Sequence, residues 1–476
     1  MPARRSSPRL VLLVLSAAVA AFAVLQSLVT PVLPTLRAAL HTDPSTVTWV
    51  LTAWLLAAAV ATPVLGRVGD MVGKHRMLVW ALAVIAVGLL VSALAPTVGV
   101  LIAGRVLQGA GGAVFAVSFG ILRDEFPRER LATAVGALSS VIAVGSGLGT
   151  VLAGPVVDAF GWRWLFGIPF VLVVVIAVLA ARFVPASPVR TPGRVNLAAA
   201  ALLTGWLLAL LLPLSLGHTW GWASPRTIGL LVLAVVLFAG WVGLELRSRT
   251  PLIDVRMLQL PAVRTTNAVA LLFGAAMFGV FAFLPQFVQV PAASGYGFGD
   301  SVTVAGLVLL PMLVTMAVGG ALSGRLTAVL GPKPQLVASS LLGLVACLGL
   351  AFLHGAQWQL AVAGGVFGIG AGVGYAAITM LIVANVPSAQ TGAANGMSAN
   401  VRTIGGALGT AVLSSLLAGG VDATGLPVES AFTAAFLVLA GASLVAALLA
   451  LRVPSPARVA APVVPLVDPA PEAAAA

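Results

Sequence analysis

One short stretch of the sequence, residues 66–76, combines a carboxylate with several cations between apolar runs at about 47–65 and 77–95. The stretch contains Gly66, Arg67, Gly69, Asp70, Gly73, Lys74 and Arg76. A carboxylate can form ion pairs with nearby cations, and it is attracted to the positive N-terminal end of a helix. We therefore expect a charged hairpin that holds two parts of the molecule together. The alternative is an ordinary basic loop in which Asp70 only caps the next helix.

Two arginines, Arg105 and Arg402, lie inside apolar runs. Placing an arginine at the centre of a lipid bilayer costs at least about 2.5 kcal/mol, so each should face a protein interior or an aqueous path. For Arg105 the alternative is a structural role, with backbone carbonyls, Gln26 or Gln108 as partners. For Arg402 the alternative is a side chain that reaches toward the membrane surface.

The other reactive side chains form no catalytic or metal-binding pattern. The four histidines are scattered, and the single Cys347 lies in an apolar run. Enzymes need clustered catalytic groups. We expect no catalytic residues, no metal and no cofactor, and a membrane enzyme such as a lipid transferase is a remote alternative.

The composition determines which elements can position these residues. Of the 476 residues, 60% are hydrophobic and only 8% are charged, whereas a soluble domain carries about 25% charged residues. Continuous apolar runs predict an all-α polytopic membrane protein, because lipid tolerates only helices or closed barrels. Fourteen spans are predicted at about 10–30, 47–65, 77–95, 98–121, 131–156, 164–185, 195–216, 225–246, 265–289, 302–323, 335–354, 358–384, 392–418 and 431–451.

The distribution of basic residues predicts the orientation. Of 25 Lys and Arg residues, 20 fall in connections on one side, and only Arg37, Arg163 and Arg226 fall on the other. This bias is the positive-inside pattern. It predicts a multi-pass protein of the cell membrane with both termini in the cytoplasm, and it argues against nucleic acid as a partner.

The first part of the chain recurs in the second part. The pairs at a spacing of 260 residues are Gly136 with Gly396, Gly145 with Gly405, Gly149 with Gly409 and Thr150 with Thr410. Gly66-Arg67 and Gly73 recur 258 residues later as Gly324-Arg325 and Gly331. We infer that spans one to six repeat as spans nine to fourteen, with two spans inserted between them. Parallel repeats of this kind occur in major facilitator transporters.

These motifs resemble those of the major facilitator superfamily. The hairpin at residues 66–76, the segment with Arg105 and Gln108, and the glycines of span five are similar to family motifs. Fourteen spans resemble the drug:proton antiporter branch. The resemblance implies the major facilitator fold, with two six-helix bundles plus two inserted helices. The predicted units are a cytoplasmic N-terminus (1–9), a bundle (10–187), the insert (188–250), a second bundle (251–452) and a disordered tail (453–476).

The resemblance also implies roles for individual residues. The hairpin would stabilise one end-state of the transport cycle by binding to the start of span thirteen, in the other half of the protein. Arg105 would couple proton movement to substrate transport. The span-five residues Gly136, Gly145, Gly149, Thr150 and Gly154 would form a hinge or a sliding contact between the halves, although tight static packing is the alternative. Many members of this branch carry an aspartate in span one, but residues 25–34 here contain no carboxylate.

The expected function is secondary active transport by alternating access. The expected substrates are lipophilic or cationic small molecules, exported as in drug or antibiotic efflux, with the proton as coupling ion and a monomer as the working unit. An ion-independent facilitator or an importer of a small metabolite is the alternative. The candidates for the cavity include the pair Arg402 and Gln26 together with Trp54, Asn267, Phe281, Gln286, Tyr375 and Asn400.

Overall fold

The computed structural model describes residues 7–42, 44–186, 196–248, 251, 255–387, 390–421 and 426–454. Within these ranges the structure is helical, and the predicted number of fourteen membrane-spanning helices is confirmed. The spans are α1 (Pro8–Ser27), α3 (Pro44–Val72), α4 (Lys74–Ala93), α5 and α6 (Val98–Gly109 and Gly112–Glu125), α7 (Arg128–Phe160), α8 (Trp164–Phe183), α9 (Leu197–Trp220), α10 (Pro225–Arg247), α12 (Pro261–Gln289), α13 (Val302–Leu330), α14 (Pro332–Phe352), α15 (Gln357–Asn385), α16 (Thr391–Gly419) and α17 (Glu429–Leu451). Two short helices, α2 (Leu33–Ala39) and α11 (Val255–Leu258), join spans.

Polar residues at the helix starts explain where several spans begin. Each of the following side chains accepts a hydrogen bond from the backbone amide three residues further on: Ser7, Thr97, Asn196, Ser224 and Ser301. Such caps satisfy amides that have no partner within the helix. Glycines with positive φ end three spans, at Gly161, Gly221 and Gly331.

The charged hairpin is shorter than the sequence predicts. Helix α3 continues to Val72, α4 begins at Lys74, and only Gly73, with φ of 108°, connects them. The expectation of a multi-residue turn from residue 66 is therefore wrong. Gly69 lies inside α3, where an added Cβ would be 3.0 Å from a methyl of Val117, so this glycine permits close helix packing.

We call the side of the molecule that contains Gly73 the hairpin side and the opposite side the far side. Helices α1–α8 form the first half and α12–α17 the second half. The halves meet where α3 packs against α16 and where α7 packs against α13. The span formed by α5 and α6 is broken near Gly111, which packs directly against the ring of Phe22 on α1.

The two inserted helices differ in their surroundings. Helix α9 packs against α3, α16 and α10, whereas α10 packs mainly against α9. An aromatic cluster of Trp206, Phe238 and Trp241 joins the two helices. The outward face of α10 carries exposed apolar residues such as Val235 and Val236, as expected for a helix that faces lipid.

Some predicted boundaries lie outside the described residues. These are the beginning and end of the insert at 188 and 250, most of the N-terminal segment 1–9, and the tail 453–476 beyond residue 454.

Candidate functional site

A buried ion pair anchors the hairpin. The Nζ of Lys74 lies 2.7 Å from Oδ2 of Asp124, and the two side chains are only 1% and 4% exposed. Gly120 lies one turn before Asp124, and a Cβ there would be 2.9 Å from Cδ and Cε of Lys74. Because glycine has no side chain, Gly120 leaves space for Lys74, whose ion pair with Asp124 joins α4 to α6.

Asp70 is buried beside the other half of the protein. It is 2% exposed and lies close to the backbone amide of Ala393, in the first turn of α16. Neither carboxylate oxygen makes a hydrogen bond of standard geometry to the described residues. This location agrees with the predicted position at the start of span thirteen. Of the two arginines expected to assist Asp70, Arg67 is buried but Arg76 is exposed.

Arg123 and Asn400 make three further hydrogen bonds between the halves. The Nη1 of Arg123 donates to the carbonyl of Val386 at 3.0 Å and to the hydroxyl of Thr391 at 2.6 Å. Asn400 donates from Nδ2 to the carbonyl of Ala59 at 2.6 Å. We call the contact of α3 and α6 with α15 and α16 the polar interface. No role for Arg123 was predicted from the sequence, because both of its partners lie more than 260 residues away.

The repeated glycines produce matching contacts at the two places where the halves meet. A Cβ on Gly136 of α7 would be 3.0 Å from the carbonyl oxygen of Gly320 on α13. A Cβ on Gly396 of α16 would be 3.0 Å from the carbonyl oxygen of Thr62 on α3. Helix backbones approach this closely only where the side chain is small. The structural repeat therefore extends to the contacts between the halves.

The expected sliding contact applies to only part of the span-five set. Gly145 and Gly149 pack against α1 within the first half, because a Cβ on Gly145 would meet Ala23 at 2.7 Å and one on Gly149 would meet the Val24 carbonyl. Gly154 has no heavy atom within 4 Å of its Cβ position among those described. For these three glycines, the prediction of a contact between the halves is wrong in this conformation.

Arg105 is held inside the first half. Its Nε donates to the carbonyl of Val50 at 3.1 Å, and its Nη1 donates to the carbonyl of Leu25 at 3.3 Å and to Oε1 of Gln108 at 2.8 Å. Gln108 in turn donates to the hydroxyl of Ser92 at 2.9 Å. Arg105 is fully buried, so this geometry is that of the structural alternative.

Arg402 instead lines a cavity between the halves. Its Nη2 donates to the hydroxyl of Tyr375 at 2.9 Å, and its guanidinium carbon lies 4.3 Å from the centre of that ring. This inner cavity of about 60 Å³ is lined by side chains of both halves, among them Phe22, Gln26, Trp54, Phe115, Tyr375, Asn400 and Arg402. The structure thus brings together five predicted residues from distant parts of the sequence.

A larger outer cavity lies toward the far side. It has a volume of about 460 Å³, and its lining includes Thr150, Phe281 and Gln286 as well as Pro31 and Gln289 at the far-side ends of their segments. The residues that line both cavities are Gln26, Ser146, Met277 and Phe278. The two cavities therefore adjoin, and the larger one lies away from the hairpin side.

Some predicted cavity residues lie elsewhere, and one important residue was missed. Asn267, expected in the cavity, lines neither the inner nor the outer cavity, and neither does Gln108, which instead binds Arg105. Phe278 was not predicted, although it lies one helical turn before Phe281, and this spacing could have identified it.

Comparison with known proteins agrees with this architecture. The sequence model of the Major Facilitator Superfamily matches residues 15–410 and 290–468 of the chain. The chain belongs to the Major Facilitator Superfamily. It is thus a membrane transporter and not an enzyme.

Several relatives within the Major Facilitator Superfamily carry names that refer to drugs or antibiotics. The chain is 30% identical over 395 residues to the tetracenomycin C resistance and export protein of Streptomyces glaucescens, covering 81% of this chain and 71% of that protein. It is 28% identical over 379 residues to multidrug resistance protein Stp of Mycobacterium tuberculosis, covering 79% and 70%. Another relative, an MFS-type transporter of M. tuberculosis, is 28% identical, and the chain spans only 58% of its length.

Solved structures of Major Facilitator Superfamily proteins share the fold. The human organic anion transporter MFSD10 (TETRAN) aligns with a TM-score of 0.68 and 16% identity, covering 94% of this chain and all of that one. The proton:xylose symporter XylE aligns with a TM-score of 0.67 and 13% identity, covering 94% and 96%.

The charge of the side chains that line the two cavities bears on the expectation of lipophilic or cationic substrates. Arg402 is the one charged side chain among the described residues that line the inner and outer cavities. The described carboxylates have other positions: Asp124 pairs with Lys74, and Asp300 accepts a hydrogen bond from Gln357 at 2.5 Å on the far side. The two cavities are therefore lined mainly by apolar side chains, and the one charge on their described lining is positive.

Proposed function

We propose that the protein exports lipophilic small molecules across the cell membrane by alternating access, with the hairpin side in the cytoplasm. The observation that carries this proposal is the pair of adjoining cavities between the halves. The larger cavity lies toward the far side, while the halves touch on the hairpin side. This arrangement corresponds to one end-state of a rocking cycle. The positive-inside pattern supports the orientation, and the names of relatives support export of drug-like compounds.

We further propose that the substrates are neutral or acidic, not cationic. A cation placed 4 Å from Arg402 would be repelled by about 1 to 4 kcal/mol, depending on the water content of the cavity. No carboxylate among the described lining residues offsets this repulsion. Phe22, Trp54 and Phe115 offer aromatic faces to a flat ring system. A phenolate, carboxylate or carbonyl on such a molecule could accept hydrogen bonds from the guanidinium.

The proton remains the proposed coupling ion, and Asp70 is the carboxylate best placed to take part. It is buried at the polar interface, without a hydrogen bond of standard geometry to the described residues. A proton on Asp70 would weaken its attraction to the positive end of α16 and would favour opening of the hairpin side. The alternative is an ion-independent facilitator or an importer, which needs no titrating group.

The decisive experiment compares two dyes that share a three-ring skeleton but differ in charge, anionic fluorescein and cationic rhodamine 123. We expect proteoliposomes with the purified protein to transport fluorescein faster than rhodamine 123, and an imposed pH gradient to increase the rate. Arg402→Gln should reduce or reverse this preference. Arg264→Gln, at an exposed position at the start of α12, is the matched control and should leave it unchanged.

Three results would contradict the proposal. If the protein transports neither dye, the proposed export function is contradicted. Faster transport of rhodamine 123 by the unmodified protein would exclude the proposed charge preference. Fluorescein flux that is the same with and without a pH gradient would favour the facilitator.

A further inference from the structure

The inner inserted helix, α9, contributes a wall to a third cavity. This side cavity has a volume of about 150 Å³ and lies between α3, α9 and α16. Helix α9 supplies Leu214 and Ser215, α3 supplies Leu55, and α16 supplies residues such as Thr403 and Thr410. A helix that only fills space against lipid would not need to border a cavity at the interface between the halves.

The side cavity adjoins both the inner and the outer cavity. Leu55 and Thr403 also line the inner cavity, and Thr410 also lines the outer cavity. Phe278 lines all three cavities. It packs against Gly406, where a Cβ would lie 2.6 Å from the ring. The three cavities therefore meet at Phe278, and the side cavity extends from there toward α9.

Two features hold α9 in place over the side cavity. Trp222, which follows α9, donates from its indole Nε1 to the hydroxyl of Ser415 on α16 at 3.0 Å. The same indole packs against Gly217, where a Cβ would lie 2.7 Å from the ring. The far-side end of α9 is thus attached to α16, which fixes Leu214 and Ser215 opposite Phe278.

We infer that the side cavity is a binding branch of the substrate path, and that it holds an apolar substituent of the transported molecule. Leu214 and Ser215 would then set the size of the substituent that fits. The lining favours a short alkyl or aryl group, because Leu55, Leu214 and Phe278 provide apolar surface and no charged residue lines the branch among the described residues. This inference rests on the proposed function, since it assigns part of the specificity of the same site to the inserted helix.

The first test measures access to the branch without any substrate. Ser215→Cys and Leu233→Cys are made in a Cys347→Ala background and reconstituted in lipid nanodiscs. Leu233 lies on α10 and is 44% exposed to the surroundings of the protein, so it is the lipid-facing control. An anionic methanethiosulfonate should label the Ser215→Cys variant about tenfold faster or more than the Leu233→Cys variant, because a thiol in lipid rarely ionises and the thiolate is the reactive form. Equal labelling rates would overturn the inference.

The second test measures specificity with fluoresceins that carry an acetylamino or a hexanoylamino group. Leu214→Trp fills the branch, so transport of the hexanoyl compound should fall about tenfold or more relative to the acetyl compound. Leu214→Ala enlarges the branch and should shift the ratio in the opposite direction. The matched control Leu233→Trp should leave the ratio unchanged.

The two tests separate failure of this inference from failure of the proposed function. If the unmodified protein transports neither fluorescein, the proposed function fails, and the labelling experiment still decides whether the branch joins the aqueous cavity. If it transports both compounds and Leu214→Trp behaves like Leu233→Trp, the branch has no role in specificity. Transport that is sensitive to Leu214 together with rapid labelling of the Ser215→Cys variant would support the inference.

Discussion

The two hairpins on the hairpin side occupy equivalent positions in the repeat but contain different chemistry. In the first half, Lys74 forms a buried ion pair with Asp124. In the second half, the corresponding region contains a neutral network in which Ser323 donates to Oε1 of Gln335 at 2.6 Å and Gln335 donates to the hydroxyl of Thr327 at 2.7 Å. The helical hairpin is thus stabilised by an ion pair in the first half and by neutral hydrogen bonds in the second.

The contacts between the halves show a parallel difference. The polar interface contains Asp70, Arg123 and Asn400, whereas the α7–α13 contact relies on the close approach of Gly136 to Gly320 and Gly324. The two buried arginines also differ, because Arg105 is bound within the first half and Arg402 faces the cavity. We interpret the first half as the one that carries the control of opening, and the second as the one that carries the charge that selects substrate.

The largest predicted effect separates the two hairpins. Lys74→Met leaves the carboxylate of Asp124 buried without its partner, which should lower stability by about 3 to 5 kcal/mol. Gln335→Leu removes only neutral hydrogen bonds and should cost about 1 to 3 kcal/mol. Thermal unfolding of both purified variants in the same detergent shows which variant loses more stability.

A double variant controls for the change in packing. Lys74→Met with Asp124→Leu removes both charges and should recover most of the lost stability. If the single Lys74→Met variant is no less stable than Gln335→Leu, the ion pair does not distinguish the halves.

The second prediction concerns the two arginines. Arg105→Gln deprives the carbonyls of Leu25 and Val50 of their donor, and each unsatisfied group should cost about 1 to 3 kcal/mol. We also expect Arg105→Ala to insert in the membrane but to lose export. Arg402→Gln should change stability by less than about 1 kcal/mol while changing the dye preference. The unfolding temperature and the ratio of fluorescein to rhodamine 123 transport are the two measurements. Equal losses of stability in Arg105→Gln and Arg402→Gln would contradict a structural role for Arg105 and a substrate-selecting role for Arg402.

The third prediction compares glycines of one helix. In Gly145→Ala the new methyl meets Ala23 within the first half, which should destabilise the fold by about 1 to 3 kcal/mol. In Gly136→Ala the new methyl lies between the halves, so the halves can separate slightly to accommodate it, at a cost of less than about 1 kcal/mol. Gly136→Ala should therefore alter the transport rate more than the unfolding temperature. The opposite pattern would assign the sliding contact to Gly145.

Sequence analysis predicted the spans and the repeat well, because both depend on local composition and on spacing along the chain. The apolar runs predicted fourteen helices, and the recurring glycines predicted the repeat. Of the span-five glycines, Gly136 lies at a contact between the halves as expected. The position of Asp70 near α16 was also predicted, since a complete motif was present. The spans and the repeat can be read from neighbouring residues and their spacing, whereas the contact of Asp70 with α16 was implied by the family resemblance.

The features that sequence analysis missed depend on distant contacts. Lys74 and Asp124 lie 50 residues apart, and nothing in the hairpin indicates that Lys74 would pair there instead of near Asp70. Gly145 and Gly149 share a spacing pattern with Gly136, but helix periodicity does not reveal which neighbouring helix each one faces. Phe278 could be placed at the junction of three cavities only once the halves and the insert had been assembled.

The most direct test of the account measures the opening of the polar interface. Spin labels at Arg76→Cys on α4 and Gln390→Cys before α16, in a Cys347→Ala background, report the distance across the hairpin side by pulsed electron resonance. We expect a mainly short distance in the parent and a larger population at long distance in Asp70→Asn, because the carboxylate-to-helix attraction of about 0.3 to 2 kcal/mol is lost. Asp300→Asn, on the far side, should match the parent. A distance distribution for Asp70→Asn that is the same as that of the parent would contradict the claim that Asp70 controls opening.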